Sequence, residues 1–306
     1  MDSAPPPNRR RLLYGTAWKK DETADLVSKA IRAGYTAFDT ACQPRHYRED
    51  LVGEGIRKAF AEGILKDRDQ IWSCYQIQTK FTRPSGQDPE TAPYDMNASI
   101  EEQVHTSIKT SLHNLRHYAD LDSSSDESVY LDSLVLHSPF SDFNDTLTAW
   151  RTMSTYVPHR IRALGVSNIP HSLLINLYDS VDVKPFYVQV RFHPETNWEI
   201  PMRRFCASKG IVFQAHKVLK QKQDMLASDF MGEVSSAVGI SRHFSMYLCV
   251  LGLGEYMSIV GGPKSEVHMK ENIEGLAKFE RWLVQGQNRT VWDGYVAQFK
   301  TMIGEE

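Results

Sequence analysis

Residues 161–190 read IRALGVSNIPHSLLINLYDSVDVKPFYVQV, and this stretch decides the fold. Ile161–Val166 is a short apolar run that ends on Ser167-Asn168, and Phe186–Val190 is a second such run carrying Gln189. Between them Ser172–Tyr178 has the composition of a helix. Strand, helix and strand in this order make a parallel unit with a right-handed crossover.

The same alternation extends in both directions. On the N-terminal side, Leu12-Leu13-Tyr14 is a strand closed by Gly15. Asp21 is placed to cap a helix with Ala24, Val27, Ala30 and Ile31 on its apolar face, ending at Gly34. Tyr35–Phe38 and Ile71–Thr79 are strands, with a helix at Leu51–Ala61 between them. Ser99 and Glu102 form a capping box before a helix whose face carries Ile100, Val104, Ile108, Leu112 and Leu115. A strand at Leu131–Leu136 and a helix at Leu147–Tyr156 lead into the opening stretch. On the C-terminal side, helix Pro201–Ser208, strand Ile211–Ala215, helix Phe244–Leu251 and strand Met257–Val260 continue the pattern.

Eight strands alternating with helices close most naturally into a (β/α)8 barrel, a TIM barrel of the α/β class. An open doubly wound sheet has the same local signal and is the structural alternative. The expected organisation is a flexible tail at 1–11, rich in Pro and Arg, and a barrel with a C-terminal extension at 12–306. Asp120–Ser128 reads as a polar loop.

Composition removes several functional classes. The chain of 306 residues is 41% hydrophobic and 10% aromatic, enough to bury a sizeable core. Lys and Arg number 35 against 38 Asp and Glu, with no basic run beyond Arg9-Arg10-Arg11, so no nucleic-acid partner is indicated. Cys42, Cys74, Cys206 and Cys249 are far apart and form no Cys-x-x-Cys pair. Free thiols and no metal site are therefore expected. The N-terminus has no apolar signal segment, and no later stretch approaches membrane-spanning length. These features predict a cytoplasmic protein with no membrane association and no obligate protein partner.

Reactive residues gather at one position in the pattern, the C-terminal ends of strands. Asp39, Lys80 and His137 follow the second, third and fourth strands. Ser167-Asn168, Gln189, His216-Lys217 and Lys264-Ser265 follow or end the fifth to eighth. In a parallel barrel these ends share one face, where active sites are built.

Eight short motifs carry a resemblance. They are Gly15-Thr16-Ala17-Trp18, Phe38-Asp39-Thr40-Ala41, Val52-Gly53-Glu54, Gln78-Thr79-Lys80, Leu136-His137-Ser138-Pro139, Gly165-Val166-Ser167-Asn168, Val188–Pro194 and Pro263-Lys264-Ser265. Their order and spacing over about residues 12–275 resemble the aldo-keto reductase family. The resemblance implies reduction of a small-molecule aldehyde or ketone by NADPH through an Asp, Tyr, Lys and His tetrad. Asp39, Lys80 and His137 match three members. The family's usual tyrosine position, five residues after the Asp, holds Pro44 here, and the loop to Val52-Gly53 is two residues longer. Tyr47, the tyrosine of that loop, is taken as the proton donor, with His46 as the rival. Lys80 is expected to make the phenol more acidic, Asp39 to fix Lys80, and His137 to hold the carbonyl oxygen as a neutral donor.

The resemblance also implies the cofactor contacts. Gly15 and Thr16 belong to the nucleotide-binding wall. Ser167, Asn168 and Gln189 match the residues that hold the nicotinamide carboxamide. His216 stands where an aromatic ring commonly stacks on the nicotinamide, and Lys217-Val218-Leu219 replaces the usual pyrophosphate segment. Lys264 and Ser265 match 2′-phosphate contacts, His268 occupies the place of an arginine, and Glu271 and Asn272 match adenine contacts. Histidine cannot form the bidentate arginine fork, so the preference for NADPH over NADH is expected to be modest. Trp18 and Phe81 are candidates to line the substrate mouth, with Phe140 and Trp198 as further aromatics near strand ends. The family's N-terminal capping hairpin is expected to be absent. Two other functions remain open on the same scaffold: a non-redox isomerase or cyclase, and a cofactor-binding regulatory protein.

Overall fold

The structure is a computed structural model and describes residues 11–65, 76–220 and 222–305. Its strands are β1 Leu12–Gly15, β2 Ala37–Asp39, β3 Gln76–Phe81, β4 Leu131–Leu136, β5 Ile161–Ser167, β6 Tyr187–Arg191, β7 Val212–His216 and β8 Met257–Gly261. All pair in parallel with their sequence neighbours, and β8 pairs back onto β1, closing the barrel. The doubly wound alternative is thereby excluded.

Helices fill the crossovers: α1 Thr23–Ala33, α2 Glu49–Ala61, α3 Ile100–Asn114, α4 Phe143–Ser154, α5 His171–Ser180 and α6 Ile200–Lys209. After β7 come α7 Gln223–Ala227, α8 Asp229–Val238 and α9 Arg242–Gly252, and after β8 come α10 Glu266–Leu283 and α11 Asn288–Met302. Their apolar stripes bury against outward-facing strand residues; Val27, Ile56, Ile108, Trp150, Leu174 and Phe244 all lie in one continuous core. At about 25 cal/mol per Å² of apolar surface, that burial is the main force holding helices to barrel. Gly53 has a clear local reason. A Cβ there would sit 1.8 Å from the Asn114 carbonyl oxygen, so only glycine lets α2 meet the end of α3. That contact seats the start of α2, immediately after the Ala41–Arg48 loop.

Strand register decides what enters the barrel. Because side chains alternate along a strand, Gln78 and Lys80 of β3 point inward while Phe81 points to the helices. Asp39 pairs with Gln78, Gln78 with Ser133, Ser167 with Gln189 and Gln189 with Gln214. One layer of the barrel interior is thus polar.

Several boundaries differ from the sequence reading. Asp21 lies in a short 3-10 turn, Lys20–Glu22, and makes no cap to α1; its carboxylate instead accepts from Arg48 at 2.7 Å. β3 runs on through Lys80 to Phe81, while positions 71–75 of the expected strand lie outside the described residues. α4 begins four residues early because Asp142 accepts from the Asn144 amide at 2.7 Å. The expected tail lies outside the described residues up to position 10, but Arg11 is anchored, its carbonyl accepting from the Ile259 amide at 2.9 Å. Among the described residues no hairpin precedes β1. The C-terminal extension is α11, pinned by Trp292 against Phe279 and by a buried Arg203–Glu305 ion pair of 2.6 Å.

Candidate active site

A cavity of about 570 Å³ opens at the C-terminal ends of the strands. Asp39, Tyr47, His137, Ser167, Asn168, Gln189, His216, Lys217 and Leu219 line it, together with Gly15 and Trp18. Residues distant in sequence therefore meet on the face that barrel topology designates. A second cavity, of about 600 Å³ between Arg11, α9 and α11, lies at the opposite end of the barrel, away from every strand-end polar group.

Lys80 is at the centre of the cluster and fully buried. Its Nζ donates to Asp39 Oδ1 at 2.5 Å and to the Thr40 carbonyl at 3.1 Å, and lies 5.5 Å from the centroid of the Tyr47 ring. Burial pulls the Lys80 pKa down while Asp39 opposes the shift. Tyr47 reaches this group because the loop folds back, with the amides of His46 and Tyr47 both donating to the Gln43 carbonyl at 3.0 Å. The Tyr47 ring meets that of His137 at 5.9 Å. His46 lines the same cavity at its rim. Its ring stacks on Trp18 at 3.9 Å, and its carbonyl accepts from the Trp18 amide.

Electrostatics correct one expectation. Lys80 was expected to make the phenol more acidic, yet the Tyr47 pKa is pushed well above the usual phenol range, first by burial and then by the Asp39 charge. The Tyr47 hydroxyl therefore keeps its proton at neutral pH. His137 is pushed down to about 3 by burial and then by Lys80, so its ring is neutral. Its Nδ1 lies 2.7 Å from the Thr82 hydroxyl. With that hydroxyl donating to Nδ1, the proton of the ring sits on Nε2.

The wall beyond the cluster is long and open. Leu219, Tyr247 and Gly262 border both this cavity and an adjoining one of about 300 Å³, which His268, Glu271 and Asn272 line. Together the two form a groove from the Asp39–Lys80 cluster to the start of α10. Gly262 borders both, and a Cβ there would lie 2.5 Å from the Gly15 carbonyl oxygen, so glycine lets these two backbone segments meet. Lys264 and Ser265 sit at the N-terminus of α10, an end that favours anions. His216 lines the groove and is pushed down to about 4 by burial, then by Lys217 and Lys80. Among the described residues no cluster of His, Cys, Asp or Glu could hold a metal ion, and Cys42, Cys206 and Cys249 are free. Cys74 lies outside the described residues. No described helix is long and apolar enough to cross a membrane.

Some sequence assignments shift on this geometry. Phe81 does not line the cavity; its ring is buried outside the barrel against Tyr94 and Phe140, as strand alternation requires one residue after Lys80. Trp198 likewise packs under loops, against Phe192. Thr16 turns its hydroxyl back to the Asp39 carbonyl at 3.0 Å and braces that strand end. Lys264 is ion-paired with Glu22 at 2.6 Å, and the Asn272 amide donates to Tyr35 at 2.9 Å. Sequence reasoning missed Gln43, whose Oε1 is buried without a partner among the described residues, as is His46 Nδ1. It also missed Lys19, a buried ammonium donating to the Gly262 carbonyl at 2.7 Å. A lysine beside Trp18 is no signal in itself; only the fold turns it inward.

Comparison with known proteins agrees with the barrel fold. The model describing the Aldo/keto reductase family matches residues 11–226. The chain is similar to D-galacturonate reductase of Fragaria ananassa, 27% identical over 277 residues, covering 83% of this chain and 76% of that protein. It is 26% identical over 226 residues to the NAD(P)H-dependent D-xylose reductase of Scheffersomyces stipitis, covering 65% of this chain and 61% of the relative. With the glyoxal reductase of Bacillus subtilis it shares 28% identity over 205 residues, 66% of this chain and 60% of that one. The match thus spans about three fifths of the length of these last two relatives. Among solved structures, an aldo-keto reductase from a Medee basin deep-sea metagenome library superposes with a TM-score of 0.65 at 19% identity, covering 89% of this chain and 90% of its own. The aldose reductase of Schistosoma japonicum does so at 0.64 and 20% identity, over 90% and 88%.

Proposed function

Because this chain belongs to the aldo/keto reductase family, we propose that it reduces the carbonyl of a small aldehyde or ketone with NADPH, Tyr47 giving the proton. The observation that carries this reading is the buried Asp39–Lys80 pair beneath a protonated Tyr47 and a neutral His137, at one end of a groove that runs to the start of α10.

The groove fits a nicotinamide nucleotide. Polar positions at both ends, with Gly15, Gly261 and Gly262 along the wall, suit a long ligand carrying a diphosphate. Ser167, Asn168 and Gln189 would hold the carboxamide, His216 would stack on the ring, and Lys217, Leu219 and Gly15 would flank the diphosphate. Lys264 and Ser265, at the α10 N-terminus, would take the 2′-phosphate, with His268, Glu271 and Asn272 beside the adenosine. Lys264 must then exchange Glu22 for phosphate, which keeps the preference over NADH modest. When bound, the reduced nicotinamide supplies a hydride to the carbonyl carbon.

The chain's own residues handle the oxygen. His137 Nε2–H and the Tyr47 hydroxyl hold it in line, and negative charge develops between two fixed donors. Tyr47 then passes its proton to the oxygen, a stronger base than phenolate once hydride has arrived. Lys80 stabilises the phenolate left behind, and Asp39 keeps Lys80 fixed and charged in a closed site. Gln43 and His46, which border the cavity and each keep a buried polar atom without a partner, suit a substrate bearing hydroxyl or further carbonyl groups. We assign residues 12–306, with Arg11 anchored ahead of them, to one catalytic unit acting without a protein partner in the cytoplasm.

The test is oxidation of NADPH, followed by its absorbance, in the presence of D-xylose, D-galacturonate or glyoxal. Turnover on at least one oxygen-rich aldehyde is expected. Tight NADPH binding with no turnover across a broad carbonyl panel would point to a regulatory role instead.

A further inference from the structure

The barrel interior beneath the catalytic cluster is filled by amides rather than by apolar side chains. Asp39 Oδ1 accepts from Lys80 Nζ at 2.5 Å, Gln78 Nε2 at 2.8 Å and Gln189 Nε2 at 2.9 Å. Gln214 Oε1 accepts from the same two amides, at 2.8 Å from Gln78 and 3.1 Å from Gln189. Gln214 Nε2 returns a bond to Gln78 Oε1 at 3.0 Å, and the Ser133 hydroxyl donates to that oxygen at 3.1 Å. Gln78, Gln214 and Ser133 are wholly buried, and Gln189 is nearly so.

The orientation of each amide follows from one charge. A carboxylate paired with an ammonium can only accept, so Gln78 and Gln189 must both turn their NH2 groups to Asp39. Each NH2 has a second hydrogen, and Gln214 Oε1 takes both. Gln78 Oε1 is then left for Gln214 Nε2 and Ser133, which are donors. Reversing any one amide would set oxygen against oxygen. A buried network with this closure is rigid, because a single broken bond leaves an unsatisfied group. Asp39 and Gln189 are the members of it that border the cavity, and with its NH2 committed below, Gln189 can present only its carbonyl oxygen there.

We propose that Gln78 and Gln214 are positioning residues that fix Gln189 as a hydrogen-bond acceptor, so that the carboxylate anchoring Lys80 also sets how the nicotinamide carboxamide is held. The inference rests on the reading of the cavity as a nicotinamide nucleotide site. The carboxamide NH2 would donate to Gln189 Oε1, fixing the rotation of the ring and the face it turns to substrate. Removing Gln214 leaves Gln189 with one tether instead of two, and its oxygen is free to swing out of line.

The measurement is nucleotide affinity by fluorescence quenching, with NADPH and with its reduced 3-acetylpyridine analogue, whose acetyl group lacks the amide hydrogens. Wild type is expected to bind NADPH about tenfold more tightly than the analogue, the upper range for one buried hydrogen bond. Gln214→Met keeps side-chain length and volume, and should shrink that ratio to about threefold or less by weakening NADPH alone. A purely structural role would lower the melting temperature and weaken both nucleotides alike, leaving the ratio intact; that result overturns the proposal. Equal affinity in wild type overturns it too, while sparing the nucleotide reading. If wild type binds neither nucleotide, the functional reading fails and the proposal falls with it. Should Gln214→Met not fold, Gln78→Met is read by the same ratio, since it also releases Gln214.

Discussion

Tyr47 and His46 are adjacent in the chain but face different surroundings. The phenol lies over Lys80 and beside His137, whereas the imidazole stacks on the exposed Trp18. Tyr47→Phe deletes the hydroxyl and keeps the ring, so kcat should fall by at least about 10²-fold with NADPH affinity little changed. His46→Ala should mainly raise KM, through loss of a substrate contact at the rim. Steady-state assays of the pair decide the matter, and the reverse ranking would transfer the proton-donor role to histidine. Lys80→Met should also remove at least about 10²-fold in turnover, because the phenolate loses its cation and Asp39 is left buried without one. Near-wild-type turnover in that variant would mean the cluster is structural. The candidates Asp39, Lys80 and His137 were legible in the sequence because each ends an apolar strand within a recognisable motif. The direction of the Tyr47 shift was not, since it depends on how completely the loop buries the ring.

The element that delivers Tyr47 is the Ala41–Arg48 loop, and its rigidity comes from below. Glu49, at the first turn of α2, is fully buried; its carboxylate accepts from the Thr79 hydroxyl, from Ser111 at 2.9 Å and from Asn114 at 3.1 Å. It thereby joins β3, the loop and α3 one residue past the loop's end. Burial raises the Glu49 pKa against the pull of these donors. Glu49→Ala leaves three buried donors without an acceptor and should cost about 3 kcal/mol, read as a lower urea midpoint. A midpoint shift worth less than about 0.5 kcal/mol would show that the loop is held by something else. Strands and most helices were readable from periodicity because each buries one continuous stripe. Glu49 was not, as a carboxylate at a helix start ordinarily favours the dipole in solvent. The start of α1 was missed for a related reason: Asp21, a good cap in isolation, finds Arg48 instead.

At the scale of the whole molecule, the site carries a pH cost. His137 and His216 have folded pKa values of about 3 and about 4, below the ordinary 6.5. Between those limits the unfolded chain binds protons that the folded barrel refuses, so stability falls as pH drops from about 6.5 towards 4. Above 6.5 both states leave these rings neutral, and this contribution is flat. His216→Tyr should make the fall between pH 6.5 and 5 shallower in urea titrations, and should tighten NADPH by enlarging the stacked ring. An unchanged acid limb would show that His216 is not the buried base described. Barrel closure and the shared face of the strand ends were legible from the order of elements alone. The polar layer of Gln78, Gln189 and Gln214 was not, because alternation shows that they point inward but not that they meet. The central claim, that this barrel moves a hydride onto a carbonyl rather than rearranging it, is tested most directly by isotope transfer. With NADPH deuterated at the transferable C4 position and an aldehyde that is turned over, mass spectrometry should find one deuterium in the product alcohol. A product that has consumed the aldehyde without gaining deuterium, or that is an isomer of it, would contradict the account.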